Sequence, residues 1–404
     1  MAKVFYNAKK YKRKTHKSYK PKGYGKKKNL TTWIISLFLL FSGAVVFFVV
    51  LPKYTDYGID IFSRSEPKPV VTPTPEPTQH PLSKYSASEL QSGVNVTDTN
   101  LQWFSDGYSY KNTLMFSAGQ IKEDGDAYMN VLMQVKTDKD SSKLASRVNI
   151  VLEYESIMNA VFNDDWLVYL DADKNGGGKI KCCKMNGDYS NPFVVKQVYT
   201  GYPSLFLSGN NLAWIERTGT SMDKLFLCDL STMESATVQT FSQLTCYGIS
   251  KPHLMKNKLV WADVESENTM GAITSQICSL NIDTGEYSQY KPNTYVHDPK
   301  SDGNKVLAWM TGNHGLESDL YMSVDGGEPE LIDEGIVDFY VDEGYIAYQK
   351  NLAIYIYIPS THCSYRITKD IVSAQIMGAS AGCVSWNEVS TGERENIKFL
   401  VVPK

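Results

Sequence analysis

The sequence has few of the residues from which metal sites and disulfide scaffolds are built. Its 404 residues include only 7 Cys, and no two of them show the Cys-x-x-Cys spacing that a zinc site uses. The cysteines are Cys182, Cys183, Cys228, Cys246, Cys278, Cys363 and Cys383. Their odd number disfavours a disulfide framework, although one or two bridges stay open. We expect Cys228 and Cys278, at equivalent places in two repeat units, to be small apolar core residues.

Histidines are also rare and scattered along the chain. The 6 residues are His16, His80, His253, His297, His314 and His362. No partner stands at a spacing that would pair with His297 or His314, so we interpret the histidines as exposed loop residues. The sequence therefore assigns no catalytic, cofactor-binding or metal-binding residue, and it predicts no cofactor.

Residues 378–382 match the Gly-x-Ser-x-Gly pattern of a hydrolase nucleophile elbow, but the context is missing. The elbow requires a strand–turn–helix and a catalytic His after the Ser. Here the last histidine, His362, precedes Ser380, and only 22 residues follow Gly382. We interpret these small residues as a hairpin turn. The sequence also lacks the Ser-x-Asp-x-Gly-x-Thr-Trp box of sialidases, whereas a glycosidase pair of carboxylates stays open.

Asp171, Asp173 and Asn175, followed by Gly176, begin like a calcium-binding loop with oxygen ligands at positions 1, 3 and 5. The twelfth position, which should be a bidentate Glu, is Cys182. A Gly-rich turn between two strands accounts for the segment better. Whether Asp171, Asp173 and Asn175 bind calcium is left open by the sequence.

The net charge of −3 conceals a strong asymmetry. Residues 1–30 contain twelve Lys and Arg and no acidic residue, so the rest of the chain has 29 basic and 44 acidic residues. The tail interleaves Lys with Tyr, and we interpret it as a topology signal that also contacts anionic lipid head groups. Nucleic-acid binding is not expected, because thirty residues hold no folded module and the remainder, at −15, repels polyanions.

Residues 33–51 form nineteen residues without a charge. As a helix they would span about 28 Å, close to the thickness of a hydrocarbon core. A cleaved signal peptide fits less well, because the basic region is long and no Ala-x-Ala-like site follows. The basic flank predicts a cytoplasmic N-terminus. We therefore expect a single-pass protein of the cell membrane, with its larger part extracellular.

This topology divides the chain into four parts. We predict a basic cytoplasmic tail at 1–30, a transmembrane signal anchor at 31–52, a Pro/Thr-rich extracellular linker at 53–92 and a β-propeller at 93–404. The linker prolines favour polyproline II, and residues 63–81 would reach roughly 60 Å. They are Pro67, Pro69, Pro73, Pro75, Pro77 and Pro81.

A triplet of aliphatic, small or β-branched, and aromatic residues recurs at intervals of 38 to 53 residues. Its aromatic members are Phe116, Tyr169, Trp214, Trp261, Trp309, Tyr348 and Trp386. Turn signals precede most triplets and a second hairpin follows them, which gives four short strands in about 45 residues, as in a propeller blade. We predict seven blades, with six or eight as alternatives, and expect the aromatic residues to pack between blades.

The chain ends also predict how the ring of blades closes. The last unit lacks an outer strand after 396–402, whereas a spare strand at 93–98 precedes the first predicted inner strand at 101–104. Pairing the spare strand with the C-terminal one would complete the seventh blade and remove an open edge.

The hairpin Gly-Asn-x-Leu-Ala-Trp at 209–214 and the turn Asn-Ile-Asp-Thr-Gly at 281–285 resemble those of TolB-like β-propellers of bacterial envelopes. In particular, the chain is similar to membrane-anchored propellers of unknown function in Gram-positive bacteria. The resemblance covers residues 94–404 and implies binding or scaffolding in the envelope. It supplies no catalytic set.

We therefore expect a binding or scaffold module that meets an unidentified extracellular protein, peptide or glycan. One alternative is a propeller enzyme that acts on carbohydrate or wall polymer through carboxylates in its funnel. Another is a signalling protein that relays ectodomain occupancy to the basic tail, although the tail has no recognisable output domain. The other predicted partners are membrane lipids, through the tail and the anchor.

Overall fold

The chain divides between Glu76 and Pro77 into two units. The computed structural model describes residues of the second unit: 80–403 without 85, 87–88, 90, 122–126, 139–142, 218–221, 242–249, 268–272, 293, 313–317, 370–372 and 390–394. The predicted tail, the anchor and most of the linker therefore lie outside the described residues. Within the part that is described, no helix has both the length and the apolar composition needed to cross a membrane.

The described residues form antiparallel sheets, with one short 3-10 turn at Pro81–Lys84, which confirms the all-β prediction. Three of the sheets come first in the chain. They contain β2 (Trp103–Tyr110), β3 (Thr113–Ile121), β4 (Ala127–Lys136) and β5 (Ser146–Val148); β6 (Ser156–Phe162), β7 (Trp166–Ala172), β8 (Gly178–Lys184) and β9 (Phe193–Val198); and β10 (Phe206–Ser208), β11 (Asn211–Glu216), β12 (Lys224–Asp229) and β13 (Glu234–Thr240).

Two further sheets follow. One contains β14 (His253–Met255), β15 (Lys258–Glu267), β16 (Ile273–Asn281) and β17 (Tyr287–Tyr290). The other has seven strands: β18 (Val296–Ser301), β19 (Val306–Thr311), β20 (Ser318–Val324), β21 (Glu330–Asp342), β22 (Tyr345–Lys350), β23 (Ala353–Ile358) and β24 (Cys363–Arg366). β21 pairs with β20 through its first half and with β22 from Ile336 onward, so it ends one four-stranded meander and begins the next.

The last sheet joins the two ends of the described chain. It contains β25 (Ser373–Ser380), β26 (Cys383–Val389), β27 (Asn396–Val401) and, as its fourth strand, β1 (Ser92–Gly93). The predicted pairing of an N-terminal strand with the C-terminal one is present, but its limits were wrong. β1 begins one residue earlier and has two residues, because Asn95 already forms a bridge to Leu144 of the neighbouring sheet.

The strand order thus gives seven four-stranded meanders, and none of the sheets formed by the described residues closes on itself. The first strands of the meanders, which we call the inner strands, are β2, β6, β10, β14, β18, the second half of β21, and β25. Each inner strand contacts the next one in chain order, and β25 contacts β2. The meanders are therefore arranged in a ring around the inner strands.

The hydrophobic core lies between neighbouring sheets. All seven triplet aromatics lie in the second strand of a meander, and their exposed fractions are 2% or less. One cluster joins Trp386 to the residues of β22 and β23, and another joins Trp166 to Trp214. The aromatic residues therefore pack between sheets, as the repeat predicts, because an aromatic ring buries a large apolar area.

Candidate functional site

The inner strands surround a cavity of about 550 Å³. Its walls include consecutive residues of several inner strands, among them 106–110, 204–209 and 377–381. Its lining includes five carboxyl groups and three lysines. They are Asp106, Asp164, Asp165, Asp342, Glu343, Lys251, Lys256 and Lys300. The cavity therefore combines apolar walls with charged groups, and the partners of these charges determine which ligand chemistry it can bind.

A polar residue recurs at one level of the inner strands, ten or eleven positions before the triplet aromatic. These residues, which we call the polar ring, are Asp106, Asn159, Ser204, Lys251, Asp298 and Asp338. Three of them, Asp106, Asn159 and Asp298, adopt a left-handed backbone with φ of 52°, 51° and 49° beside β-bulges. Asp and Asn tolerate this conformation better than other side chains. A β-bulge changes the direction in which a side chain points, so the bulges set the orientation of these polar residues.

Hydrogen bonds between neighbouring inner strands use several groups of the polar ring. The Asn159 backbone N–H donates to Asp106 Oδ2 at 3.2 Å, and Asn159 Nδ2 donates to Pro203 O at 3.2 Å. The Lys251 backbone N–H donates to Asp298 Oδ1 at 2.8 Å. These bonds fix the meanders to one another around the cavity. Among the described residues, the ammonium group of Lys251 makes no hydrogen bond and no ion pair.

Lys300 is 4% exposed and lies beside Lys251 in the next meander. Its ammonium group donates to Phe339 O, lies 3.4 Å from Asp338 Oδ1 and stands 4.4 Å from the centroids of the Phe339 and Tyr340 rings. Burial lowers the pKa of Lys300, and the positive charge of Lys251 lowers it further. Two cations therefore face one side of the cavity.

His253 completes this side of the cavity. Its Nδ1 accepts a hydrogen bond from the Ser301 backbone N–H at 3.3 Å, so the neutral ring has its proton on Nε2. Burial, together with the charge of Lys300, lowers the pKa of His253 to about 3. The imidazole is therefore neutral near pH 7 and presents an N–H donor.

Asp106 and Tyr340 also line the cavity, and the Tyr340 ring lies 4.4 Å from the Lys300 ammonium. Burial raises the pKa of Asp106, which the Asn159 hydrogen bond and the charge of Lys251 oppose. Burial and the neighbouring Asp338 raise the pKa of Tyr340 well above its ordinary value. The sequence singled out no functional residue among these five: Asp106, Lys251, His253, Lys300 and Tyr340. His253 was interpreted as an exposed loop residue.

That interpretation of the histidines was wrong for His253 and His297. His297 is 1% exposed, with Nδ1 3.1 Å from Asp298 Oδ2 and Nε2 3.3 Å from Ser318 Oγ. The order Ser–His–Asp is that of a catalytic triad, yet Ser318 is only 2% exposed. In the described residues the three side chains therefore join β18 to β20. His16 and His314 lie outside the described residues.

Most of the other cavity carboxylates already have partners. Asp342 Oδ2 accepts from the Gly382 N–H at 2.6 Å, Asp164 pairs with Lys111 at 2.6 Å, and Glu343 lies 3.7 Å from Lys256. Asp106 and Asp165 make no ion pair among the described residues.

These two carboxyl groups stand at different levels of the cavity. Asp106 is level with Asn159, and β6 from Asn159 to Phe162 alone spans about 10 Å, with Asp165 beyond it. Glycosidase carboxyl pairs are separated by roughly 5–9.5 Å, which is less than the separation between the levels of Asp106 and Asp165.

Asp171, the first residue of the calcium-like segment, is completely buried. Its carboxylate accepts from the backbone N–H groups of Glu153 and Tyr154 at 2.7 and 3.1 Å and pairs with the buried Lys181 at 2.7 Å. Asp173 Oδ1 accepts from the backbone N–H of Asn175 at 2.8 Å. The ion pair therefore accounts for the burial of Asp171 without a metal, and the described residues contain no group of three or more His, Cys, Asp or Glu that could hold one.

Ser380, in the elbow-like sequence, lies at the end of β25. Its hydroxyl accepts from the Ser109 backbone N–H at 2.8 Å and donates to Ser109 O at 2.9 Å. Ala381 and Gly382 follow with φ of 49° and 77°, which is the geometry of a tight hairpin turn. The turn interpretation is confirmed, and the serine joins β25 to β2.

The six described cysteines are thiols, and all but Cys363 are buried. Burial raises the pKa of Cys182 to about 12 and that of Cys383 to about 11, so both remain protonated. Cys228 and Cys278 are core residues, as predicted, but their places are not equivalent. Cys228 is opposite Leu212, whereas Cys278 is opposite Trp261, two positions away in register. Cys246 lies outside the described residues.

Comparison of the sequence with protein-family models and with curated proteins gave no match. The structure is similar to the β-propeller domain of the trilobed protease from Pyrococcus furiosus, described as having an open velcro topology. The TM-score is 0.56 at 13% identity over 74% of this chain and 95% of that one. It is also similar to the acylaminoacyl peptidase of Pyrococcus horikoshii, with a TM-score of 0.53 at 12% identity over 74% of this chain.

This chain spans about half the length of that peptidase, 51%. A TolB from Agrobacterium tumefaciens matches more weakly, with a TM-score of 0.40 at 11% identity over 58% of this chain and 81% of that one, and nothing about function follows from it. The similar structures show that the chain has a β-propeller fold. The membrane-anchored family suggested by the sequence stays a prediction.

Proposed function

We propose that the chain is a membrane-anchored protein of the cell envelope whose propeller binds an extracellular ligand in its central cavity. In this proposal the seven meanders are seven blades, closed by the pairing of β1 with β27. The anchor rests on the uncharged segment 33–51 and its basic flank. The observation that supports binding is the cavity of about 550 Å³, a size that suits a small ligand or the end of a larger one.

The partners of the cavity charges favour binding over hydrolysis. A carboxyl pair for acid–base work must lie about 5–10 Å apart and remain free to exchange protons with the substrate. Asp342 accepts a hydrogen bond, Asp164 pairs with Lys111, Glu343 lies 3.7 Å from Lys256, and Asp106 and Asp165 stand at different levels. The alternative, an enzyme that acts on wall polymer, would require Asp106 or Asp165 to act with a further carboxylate.

The binding proposal can be tested with a photo-crosslinking amino acid in the full-length protein in intact cells. Ser204 lines the cavity, so a crosslinker there should capture the ligand. The matched control is Ser288, which is exposed on the outer strand β17. We expect a crosslinked species from position 204 that is absent from position 288. Identical products from both positions, or none from 204 in a folded protein, would contradict binding in the cavity.

The membrane topology has its own test. Protease added to intact cells should remove the propeller and leave the tail protected, because the basic flank predicts a cytoplasmic N-terminus. An epitope placed before Lys3 should therefore survive the digestion, and one placed after Lys404 should be lost. Loss of the N-terminal epitope in unbroken cells would show that the orientation is the reverse.

A further inference from the structure

Hydrogen-bond donors converge on one side of the central cavity. They come from two adjacent meanders: Lys251 just before β14, His253 in β14 and Lys300 in β18. All three line the cavity. Lys251 Nζ has no hydrogen-bond partner among the described residues, and the same holds for His253 Nε2. An ammonium group and an N–H are thus available to a ligand at one place.

The two lysines also repel each other. Lys300 is 4% exposed, and its ammonium is balanced by Asp338 at 3.4 Å. The Lys251 ammonium makes no ion pair among the described residues, although its backbone N–H donates to Asp298 at 2.8 Å and Asp106, whose ionisation burial opposes, also lies near it. Like charges that face a poorly solvated space cost free energy unless a counter-charge joins them. An anionic group bound in the cavity would therefore stabilise the unpaired Lys251 ammonium.

The hydrogen-bonding character of the three groups further limits the chemical class of ligand that can bind. A lysine ammonium has donors only, and the neutral His253 ring has used its acceptor on Ser301. Such a set recognises a group that is rich in acceptor oxygens, and charge-assisted hydrogen bonds to such oxygens are the stronger kind. A cationic or purely apolar ligand would leave the Lys251 ammonium group without a partner, whereas Lys300 already contacts Asp338 and Phe339 O.

We infer that the ligand of the cavity presents an anionic oxygen group, a carboxylate or a phosphate, to Lys251, His253 and Lys300. This inference rests on the proposed function, because it names the chemistry of the ligand that the cavity binds. It agrees with the negative charge of the exported part as a whole, since the acidic surface excludes long polyanions while the cavity accepts a single anionic group.

The test uses the full-length protein in bilayers of phosphatidylcholine, with inorganic phosphate and succinate as the two probes. Titration calorimetry at constant ionic strength should give saturable binding of at least one probe. Which probe binds distinguishes a phosphate from a carboxylate ligand. Because the basic tail can also attract anions, Lys251→Met is compared with Lys305→Met, whose lysine lies on the surface and pairs with Asp325 at 3.1 Å.

We expect Lys251→Met to weaken binding by about tenfold, the usual effect of losing one charge-assisted hydrogen bond. Lys305→Met should bind as the unmodified protein does, and Lys251→Arg should retain most of the affinity. Thermal unfolding of each variant shows that it is folded. Absence of saturable binding of either probe, or equal affinities of Lys251→Met and the unmodified protein, would overturn the inference.

The two proposals can fail separately. If a crosslinker at Ser204 captures a ligand that neither probe displaces, the cavity binds but the inferred anionic chemistry is wrong. If the probes bind through Lys251 and no ligand is captured in cells, the anion site stands and the proposed function falls.

Discussion

Replacement of Asp171 by Asn tests whether the buried ion pair between Asp171 and Lys181 stabilises the calcium-like segment. Asp171 and Lys181 are 0% and 1% exposed at the side chain and lie 2.7 Å apart. Asn keeps the shape and can still accept from one of the two backbone N–H groups, but it removes the charge. Lys181 is then left with Glu153 at 3.1 Å, whose side chain is half exposed. Breaking a buried ion pair by removing one partner costs about 3–5 kcal/mol.

The measurement is urea unfolding of the full-length chain, followed by the fluorescence of tryptophans that are buried in the propeller. Asp171→Asn should lower the free energy of unfolding by about 3 kcal/mol, at the lower end of that range, because Glu153 remains as a partner of Lys181. The matched control is Asp173→Asn, which changes a turn residue whose acceptor role an amide oxygen can keep and should shift stability by about 0.5 kcal/mol or less.

Two outcomes would refute this reasoning. One is a loss below about 1 kcal/mol for Asp171→Asn, which would mean that the pair is well solvated. The other is a calcium-dependent rise in stability of the unmodified protein that both Asp171→Asn and Asp173→Asn abolish. That result would show that the segment binds the metal after all.

Three further predictions follow from the cavity and its walls. The pKa of His253 is depressed from 6.5 to about 3, so the unfolded chain takes up the proton first and stability is lost as the pH falls below 6.5. Between pH 6.5 and 5 the loss is about 2 kcal/mol at most, because part of the ring faces the cavity. His253→Gln should remove this loss in urea unfolding series, and an unchanged slope would contradict it. The pKa of Asp106 is raised, so its ionisation opposes folding, and Asp106→Asn should raise the melting temperature at pH 7 but not at pH 3.5. A stabilisation that is equal at both pH values would contradict that reasoning. Gly378→Ala should cost about 3 kcal/mol in urea unfolding, because the added methyl group would overlap the carbonyl oxygen of Gly107. The control Gly93→Ala, whose methyl group meets only the Lys398 side chain, should be neutral, and equal effects of the two would contradict the close approach of β25 to β2.

The site illustrates what a single sequence can and cannot reveal. Asp106, Asn159, Ser204 and Lys251 each stand ten positions before a triplet aromatic, at Phe116, Tyr169, Trp214 and Trp261. The same repeat that predicts the blades therefore contained a signal for the polar ring. The signal was hard to recognise because the four residue types differ and share only their polarity.

The environments of the half-buried His253 and the buried His297 could not be predicted in this way. His253 and His297 follow turn-rich segments and have polar neighbours, which usually indicates exposure. Their environment depends on residues far away in the chain, because Ser301 bonds to His253 and Ser318 lies against His297. Contact between β14 and β18 of neighbouring meanders brings Ser301 to His253, and the folding of one meander brings Ser318 in β20 to His297 in β18.

The sequence by itself determined the all-β class and the repeat, with seven units predicted and six or eight as alternatives, and it located the aromatic residues of the core. Alternation, turn residues and the recurring triplet are local signals, and each acts within a few residues of the chain. Only the tertiary structure decided which polar groups meet in the cavity, which of them are already bonded, and which remain available to a ligand. These properties depend on how seven inner strands are placed around one space, and burial and charge there are set by residues from different repeat units.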